Sequence, residues 1–296
     1  MEELESCPIC KSSENQPFLE CTDYTVSRET FSIVECLSCR FRYTNPRPNE
    51  EEISPYYKAE AYISHTNSGK GLVNFIYKQV RKYTLGQKFK LISNLVSGNT
   101  ILDYGSGAGA FLNYCKEKNW TTKGVEADKE TREKVIKEFG LEVISPAQIS
   151  TLGKQEFDVI TLWHVLEHVH QLKETLGVLI NSLKQDGVLI IAVPNCASHD
   201  AKHYGKEWAA YDVPRHLYHF RPDDISSLFK EFDFKVVDVL PMIFDSYYVS
   251  MLSEKHKTGS TGFFSGMWNG FLSNLKAYSK KSYSSQIYIL RKNKAL

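Results

Sequence analysis

The sequence predicts an α/β protein, a doubly wound parallel sheet with a small cysteine-rich module at its N-terminal end. Three observations carry this. Two C-x2-C pairs, Cys7/Cys10 and Cys36/Cys39, stand near the start of the chain. From Thr100 to Val193, apolar strand-length runs alternate with amphipathic helix-length stretches, the order that builds a parallel sheet. The first of those runs, Ile101-Leu102-Asp103-Tyr104, leads into Gly105-Ser106-Gly107-Ala108-Gly109-Ala110 and then a helical pattern. That reads as strand, tight turn, helix.

Composition sets the outer bounds. The chain has 296 residues, 42% hydrophobic and 24% charged, with a net charge of +1. These are the proportions of an ordinary globular protein, and no global charge draws it to nucleic acid or membrane. No apolar run approaches the ~18 residues that span a bilayer. Met1-Glu2-Glu3 does not read as a secretory leader, so a cytoplasmic location is expected. The 7 cysteines then point to metal or free thiols rather than disulfides.

Residues 1–48 form the first expected unit. Two C-x2-C knuckles place four thiolates around one zinc ion, with Cys7, Cys10, Cys36 and Cys39 as ligands. Short β-like runs lie between them, as in a zinc ribbon, and Cys21 is a spare buried thiol. So small a module buries little core, so metal ligation is expected to supply much of its stability. Arg40, Arg42 and Arg47 interleave with Phe41 and Tyr43. That pattern suits either base stacking on RNA or a packed face.

Residues 49–98 are expected as a helical linker or cap, with a short helix at Glu50–Lys58 and helical periodicity over Gly71–Val96. Tyr56, Tyr57 and Tyr62 are candidates to lie over a pocket.

The remainder, 99–296, holds the core. Expected strands are Thr100–Tyr104, Thr121–Glu126, Leu141–Ile144, Phe157–Leu162 and Val188–Val193. Helices are expected at Ala110–Lys118, Asp128–Phe139 and Leu172–Leu183, with a turn at Lys184–Gly187. The glycine pattern also satisfies a dinucleotide fingerprint. Two residues favour S-adenosyl-L-methionine (SAM) instead. Asp103 sits two positions before the first glycine and suits a cationic amino-acid group. Glu126 ends the second strand and suits two ribose hydroxyls.

With the run Phe157–Val169 added, the chain resembles class I SAM-dependent methyltransferases over about 75–240 and the last strand. Bacterial small-molecule and sugar C-methyltransferases and ubiquinone-pathway-type O-methyltransferases are the relevant members. The resemblance implies a Rossmann-like seven-stranded sheet. It implies SAM contacts from Asp103, Gly105, Ser106, Gly107, Gly109, Glu126, Ala127 and Trp163. After the third strand the family's adenine-binding acid is missing, which leaves backbone groups or Gln148. His164-x-x-Glu167-His168 has metal-ligand spacing if helical, and an active-site rim, a divalent-ion site and a peptidase-like zinc site are the readings weighed.

Residues 196–241 carry the expected chemistry. Arg215-His216-Leu217-Tyr218-His219-Phe220 resembles the His-Glu-His-Leu-Ser-Tyr-Phe segment of sugar C-methyltransferases. That places His216 as general base, with Arg215 facing an anionic substrate and His164 as a further catalytic candidate. Asp223 is expected to cap a helix over Asp224–Phe232, followed by a strand at Phe234–Leu240 and an antiparallel final strand at Ser284–Arg291. Between those strands lies a lid-like insertion at 242–283. It has one aromatic helical face and glycines at 262, 266 and 270, suited to a lid or dimer contact and leaving a peripheral membrane contact open.

The expected function is SAM-dependent methylation of a small molecule at oxygen or carbon, by a monomer or homodimer. The alternatives are a zinc-ribbon-guided RNA or protein methyltransferase and a non-catalytic zinc-containing scaffold.

Overall fold

The computed structural model describes residues 1–57, 72–260 and 262–293. Tyr62 and Lys58 lie outside them. Ser54–Tyr57 forms a 3-10 turn where a short helix was expected.

Seven strands build the main sheet: β4 (Thr100–Tyr104), β5 (Thr121–Val125), β6 (Glu142–Ile144), β7 (Phe157–Trp163), β8 (Leu183–Pro194), β10 (Phe234–Pro241) and β11 (Ser285–Lys292). Their order is β10-β11-β8-β7-β4-β5-β6, and β11 pairs antiparallel with both its neighbours. The other pairings within the sheet are parallel. The order reverses beside β4, so its carboxyl end is the topological switch point where such sheets bind ligands.

Two local expectations change. Lys184–Gly187 lies inside β8 as an irregularity between the pairs Phe157–Leu183 and Val159–Val188, because β7 pairs with residues on both sides of it. The helix expected from Asp224 begins at Pro222, with Arg221 as N-cap. Proline's fixed φ suits the first helical position. Asp224 accepts the Arg221 N–H at 2.7 Å and so satisfies the cap from inside the helix.

The cysteine-rich segment has its own sheet, β1 (Asn15–Thr22), β2 (Thr30–Cys36) and β3 (Arg42–Thr44). A two-residue strand from far along the chain, β9 (Tyr218–His219), pairs with β3. Cys7, Ile9, Val34, Phe41 and Tyr43 pack in the same apolar cluster as Leu162, Leu217, Phe220 and Leu228. The module therefore shares the main core, and metal ligation is not its only support.

The insertion is a helical hairpin, Ile243–Thr258 and Phe263–Lys280. A Cβ on Gly266 or Gly270 would come within 2.7 Å of Met251 or 2.8 Å of Tyr247, each at Cα. The glycine stripe is thus the seam between the helices. The aromatic face turns outward, with Phe264 87% and Trp268 61% exposed. Among the described residues no helix is long and apolar enough to cross a membrane.

Candidate active site

The glycine turn leaves β4 and is pinned to β5, where Val125 O accepts the N–H groups of Gly105 (2.7 Å) and Ser106 (2.9 Å). Gly105 has φ +79, and a Cβ there would lie 2.3 Å from Val165 Cγ2. Gly107 has φ +51 with nothing within 4 Å of the Cβ position, so its backbone faces open space. Glu126 follows β5. Its carboxylate accepts from Gly107 N (2.8 Å) and Asp128 N (2.9 Å). The carbonyls of Glu126 and Ala127 are held by Arg132.

Asp103 is buried at the end of β4, and the Thr161 hydroxyl donates to it at 2.6 Å. Burial pushes its carboxyl up to about 7, against the pull of Thr161 and the Lys88 ammonium. Lys88, from the helix Leu72–Leu95, sits 4.1 Å from the Trp163 ring centroid. Phe111 meets Trp163 edge-on at 5.9 Å. Gln148 spends its side-chain carbonyl on Ser145 N and Oγ, both at 3.0 Å.

At the end of β7, Leu166–His168 is a single 3-10 turn, so His164, Glu167 and His168 do not share a helix face. His164 has φ +56, and its Nε2 lies 3.0 Å from Asp245 Oδ2 on the hairpin. Burial alone would lower the His164 imidazole, but Asp245 and Glu167 hold it up to about 10. Glu167 is fully buried, and neither carboxylate oxygen has a hydrogen-bond partner among the described residues. Its Oε1 lies 3.5 Å from His164 Nδ1 and 4.0 Å from His216 Nε2.

The sequence-selected His216 does come to this cluster. Its Nδ1 lies 2.9 Å from Ala210 O, and its ring centroid is 4.6 Å from that of His168. His168 Nδ1 meets Arg215 O at 3.0 Å and Tyr57 Oη at 2.9 Å. Burial and the neighbouring His216 push His168 down to about 4. The module braces this loop: Thr44 Oγ1 donates to His216 O at 2.8 Å, and Thr44 N to Leu217 O at 3.0 Å.

Arg215 is buried. Nε and Nη2 donate to Asp212 at 2.9 and 2.6 Å, Nη2 also to Asp23 at 3.1 Å, and Nη1 to Tyr56 O at 2.9 Å. Every nitrogen of the guanidinium is engaged within the protein. Sequence reasoning missed Thr161, Lys88, Asp245 and Asp23. Thr161 was the accessible one, since it shares the parity of Val159 on the strand facing Asp103.

At the N-terminal module, Cys7 and Cys39 sulfurs lie 3.6 Å apart, and those of Cys10 and Cys36 3.5 Å apart. All four sulfurs fall within 4.8 Å of one another. Tetrahedral zinc with ~2.3 Å bonds separates sulfurs by about 3.8 Å, so the donor set fits. Phe41 and Tyr43 are fully buried. Arg42 and Arg47 pair with Glu35 and Glu2. This face is packed, and its two aromatics offer no stacking platform.

Comparison with known proteins agrees with this fold. A family model described as a methyltransferase domain matches residues 77–239. The magnesium protoporphyrin IX methyltransferase of Synechocystis PCC 6803, solved with bound S-adenosylhomocysteine (SAH), is similar in structure. Its TM-score is 0.53 at 14% identity, over 83% of this chain and 100% of that chain. A SAM-dependent methyltransferase from Archaeoglobus fulgidus gives a TM-score of 0.49 at 18% identity, over 74% of this chain and 99% of that chain. No curated protein sequence matches.

Proposed function

The chain belongs to the methyltransferase-domain family, and from that premise we propose that it moves a methyl group from SAM to an oxygen or carbon of a small-molecule acceptor. The observation that carries this is the grip of Glu126 on the Gly107 N–H across an open turn at the switch point. A carboxylate so placed suits the ribose hydroxyls, and Gly107 lets a ligand approach the backbone. Asp103 would take the ammonium of the methionine moiety, near where Lys88 supplies positive charge in this structure. Trp163, Ser106, Gly105, Gly109 and Ala127 complete the proposed cofactor wall.

Methyl transfer is an in-line displacement, aided by positioning and by removal of the acceptor's proton. His216 is proposed to draw that proton away. A carbonyl can only accept, so Nδ1 carries hydrogen toward Ala210 O and leaves the Nε2 lone pair free. Arg215 is better read as a clasp that positions this loop than as an anion receptor, given its full set of internal acceptors. His164 reads as a tether to the hairpin through Asp245.

A small acceptor is supported by the buried aromatics of the module and by the protoporphyrin named for the similar enzyme. Cys7, Cys10, Cys36 and Cys39 would hold zinc with no open coordination position, a structural role. Cysteines suited to metal ligation, with the others buried, fit a reducing, cytoplasmic setting.

Calorimetric titration of SAH into wild-type protein and Glu126→Ala tests the reading. Binding to wild type that weakens at least about 10-fold in the variant, a loss of ~1.4 kcal/mol, supports it. No binding to wild type overturns it.

A further inference from the structure

We propose that the outer face of the helical hairpin, Ile243–Thr258 and Phe263–Lys280, docks on the surface of a lipid bilayer that carries anionic headgroups. On the second helix Phe264, Trp268, Phe271, Leu275 and Tyr278 recur at alternating steps of four and three residues. That spacing gathers them into one stripe. Phe244 adds to it from the first helix, and all six side chains are exposed. At ~150–250 Å² per large side chain, exposed fractions of 45–87% leave about 800 Å² of apolar surface in water. The largest apolar patch of an ordinary monomer is about 300–600 Å².

The other faces of the hairpin are already occupied. Gly266 lies against Met251 and Gly270 against Tyr247, so the helices run antiparallel with a closed seam. Ser246, Ser250, Ser253, Ser273 and Ala277 are buried. The stripe is therefore on the side turned away from both the seam and the domain.

The charged groups sort in the same way. Lys255 and Lys257 stand at the end of the first helix, Lys276 and Lys281 at the end of the second, and all four are exposed. Because the helices are antiparallel, one pair flanks each end of the stripe. The two acids of the hairpin are taken up inside. Asp245 meets His164 at 3.0 Å. Glu254 is buried and accepts from Tyr204 Oη and Asn269 Nδ2, both at 3.0 Å. On the neighbouring segment His199–Glu207, which packs against the hairpin, Lys202 and Lys206 are exposed while Glu207 is half-buried. The whole chain carries only +1, so this positive rim is local.

Apolar side chains in the headgroup region, with lysines reaching lipid phosphates, are how an in-plane helix holds an anionic membrane. Tryptophan and tyrosine favour that depth, where one edge of the ring is apolar and the other wet. A second copy of the chain fits less well. Two-fold pairing sets one patch against itself, so lysine-bearing ends would meet with no exposed acid on either hairpin between them. The helices would lie on the bilayer, since among the described residues none is long and apolar enough to cross it. None of these side chains is in the proposed cofactor wall, so the docking stands apart from methyl transfer. Asp245 ties the hairpin to His164, and docking would therefore set the end of β7 beside lipid.

The test is sedimentation of the full-length protein with vesicles of phosphatidylcholine containing one-third phosphatidylglycerol, beside vesicles of phosphatidylcholine alone, with tryptophan emission read in parallel. Expected is binding to the anionic vesicles, weaker by at least about 10-fold on the neutral ones, and weakened by molar salt, which shortens the Debye length to ~3 Å. Emission should shift to the blue as Trp268 leaves water. Phe264→Ser combined with Trp268→Ser should weaken binding at least about 10-fold and remove the shift, because affinity follows the apolar area buried. Lys255→Gln combined with Lys257→Gln should weaken it at least about 5-fold. Exposed side chains add little to stability, so both variants should keep the circular dichroism of wild type. No binding to anionic vesicles overturns the proposal. So does equal binding to both kinds of vesicle, or by wild type and a folded Phe264/Trp268 variant. Dimers in light scattering that Phe264→Ser abolishes, without vesicle binding, would overturn it in favour of a second copy.

Discussion

His164 Nε2 lies 3.0 Å from Asp245 Oδ2, joining the residue that follows β7 to the base of the helical hairpin. His164 is held up to about 10 and Asp245 below the usual carboxylate range, chiefly by each other against the effect of burial. For the raised histidine, the stabilisation is complete below its unfolded pKa of about 6.5 and is lost as pH rises through about 10. For the lowered aspartate, it is complete above about 3.9 and is lost in acid. The Tm difference between wild type and Asp245→Asn should therefore be largest near pH 5–6 and shrink steadily above about pH 6.5. A difference that grows toward pH 9 would break the assignment.

Asp103 supplies a second pH signature. Its carboxyl stands at about 7 in the ligand-free fold, so it is ionised above that value and protonated below it. A cationic amino group needs the ionised form. SAH affinity should be level above pH 7 and fall by up to about tenfold per unit below it. Asp103→Asn should bind weakly with a flat profile over the same range, as calorimetry at several pH values would show.

The two glycines of the turn should fail in different ways. Gly105→Ala meets Val165 at 2.3 Å in a φ of +79, so strain and overpacking together should cost about 2–5 kcal/mol of stability. Gly107→Ala meets nothing within 4 Å and should cost only the left-handed strain, about 1–2 kcal/mol. Yet Gly107→Ala should lose SAH binding, because its methyl group fills the space where a ligand approaches. Denaturant melts set beside calorimetry separate the two outcomes.

His216→Ala should lower methyl transfer by about 10²–10⁴-fold once an acceptor is found, with SAH affinity unchanged. Turnover equal to wild type would take His216 out of the mechanism.

Removing the zinc proposed for Cys7, Cys10, Cys36 and Cys39 should not merely release an appendage. Cys7 and Phe41 share a cluster with Leu217 and Phe220, and Thr44 holds His216 O. Cys36→Ser, or strong chelation, should lower a single cooperative unfolding transition of the whole chain. Two separate transitions in calorimetry would contradict the shared core.

The core elements were legible because their signals are local. Alternating apolar runs, the glycine turn and the Asp128 cap that accepts Thr131 N at 2.7 Å are all written in neighbouring residues. Both cysteine pairs were legible for the same reason. Arg215 shows where that stops. Its sequence neighbours suggested a substrate-facing cation, but its acceptor Asp23 is 192 residues away, and no spacing rule reaches so far. Asp245 is hidden in the same way, since an acid in an apolar hairpin carries no mark of the histidine it meets. The hairpin itself was half legible. The aromatic face and the glycine stripe were both visible in the sequence, but whether the stripe met a second helix depended on where Ile243–Thr258 folds back.

The small sheet of the cysteine module is completed by Tyr218–His219, on a strand 175 residues beyond its neighbour, the separation of the bonded pair Thr44 and His219. A ribosome delivers the chain from the N-terminus, at about 5–20 residues per second. For roughly ten seconds or more at that pace, β3 exists without its last partner and presents an unpaired edge. Pairings this distant also slow folding, because the loop must close before the contact forms. Zinc captured early at the proposed cysteine site would give the nascent module order during that wait, and metal supply in the growing cell would then help decide how much chain reaches the native state.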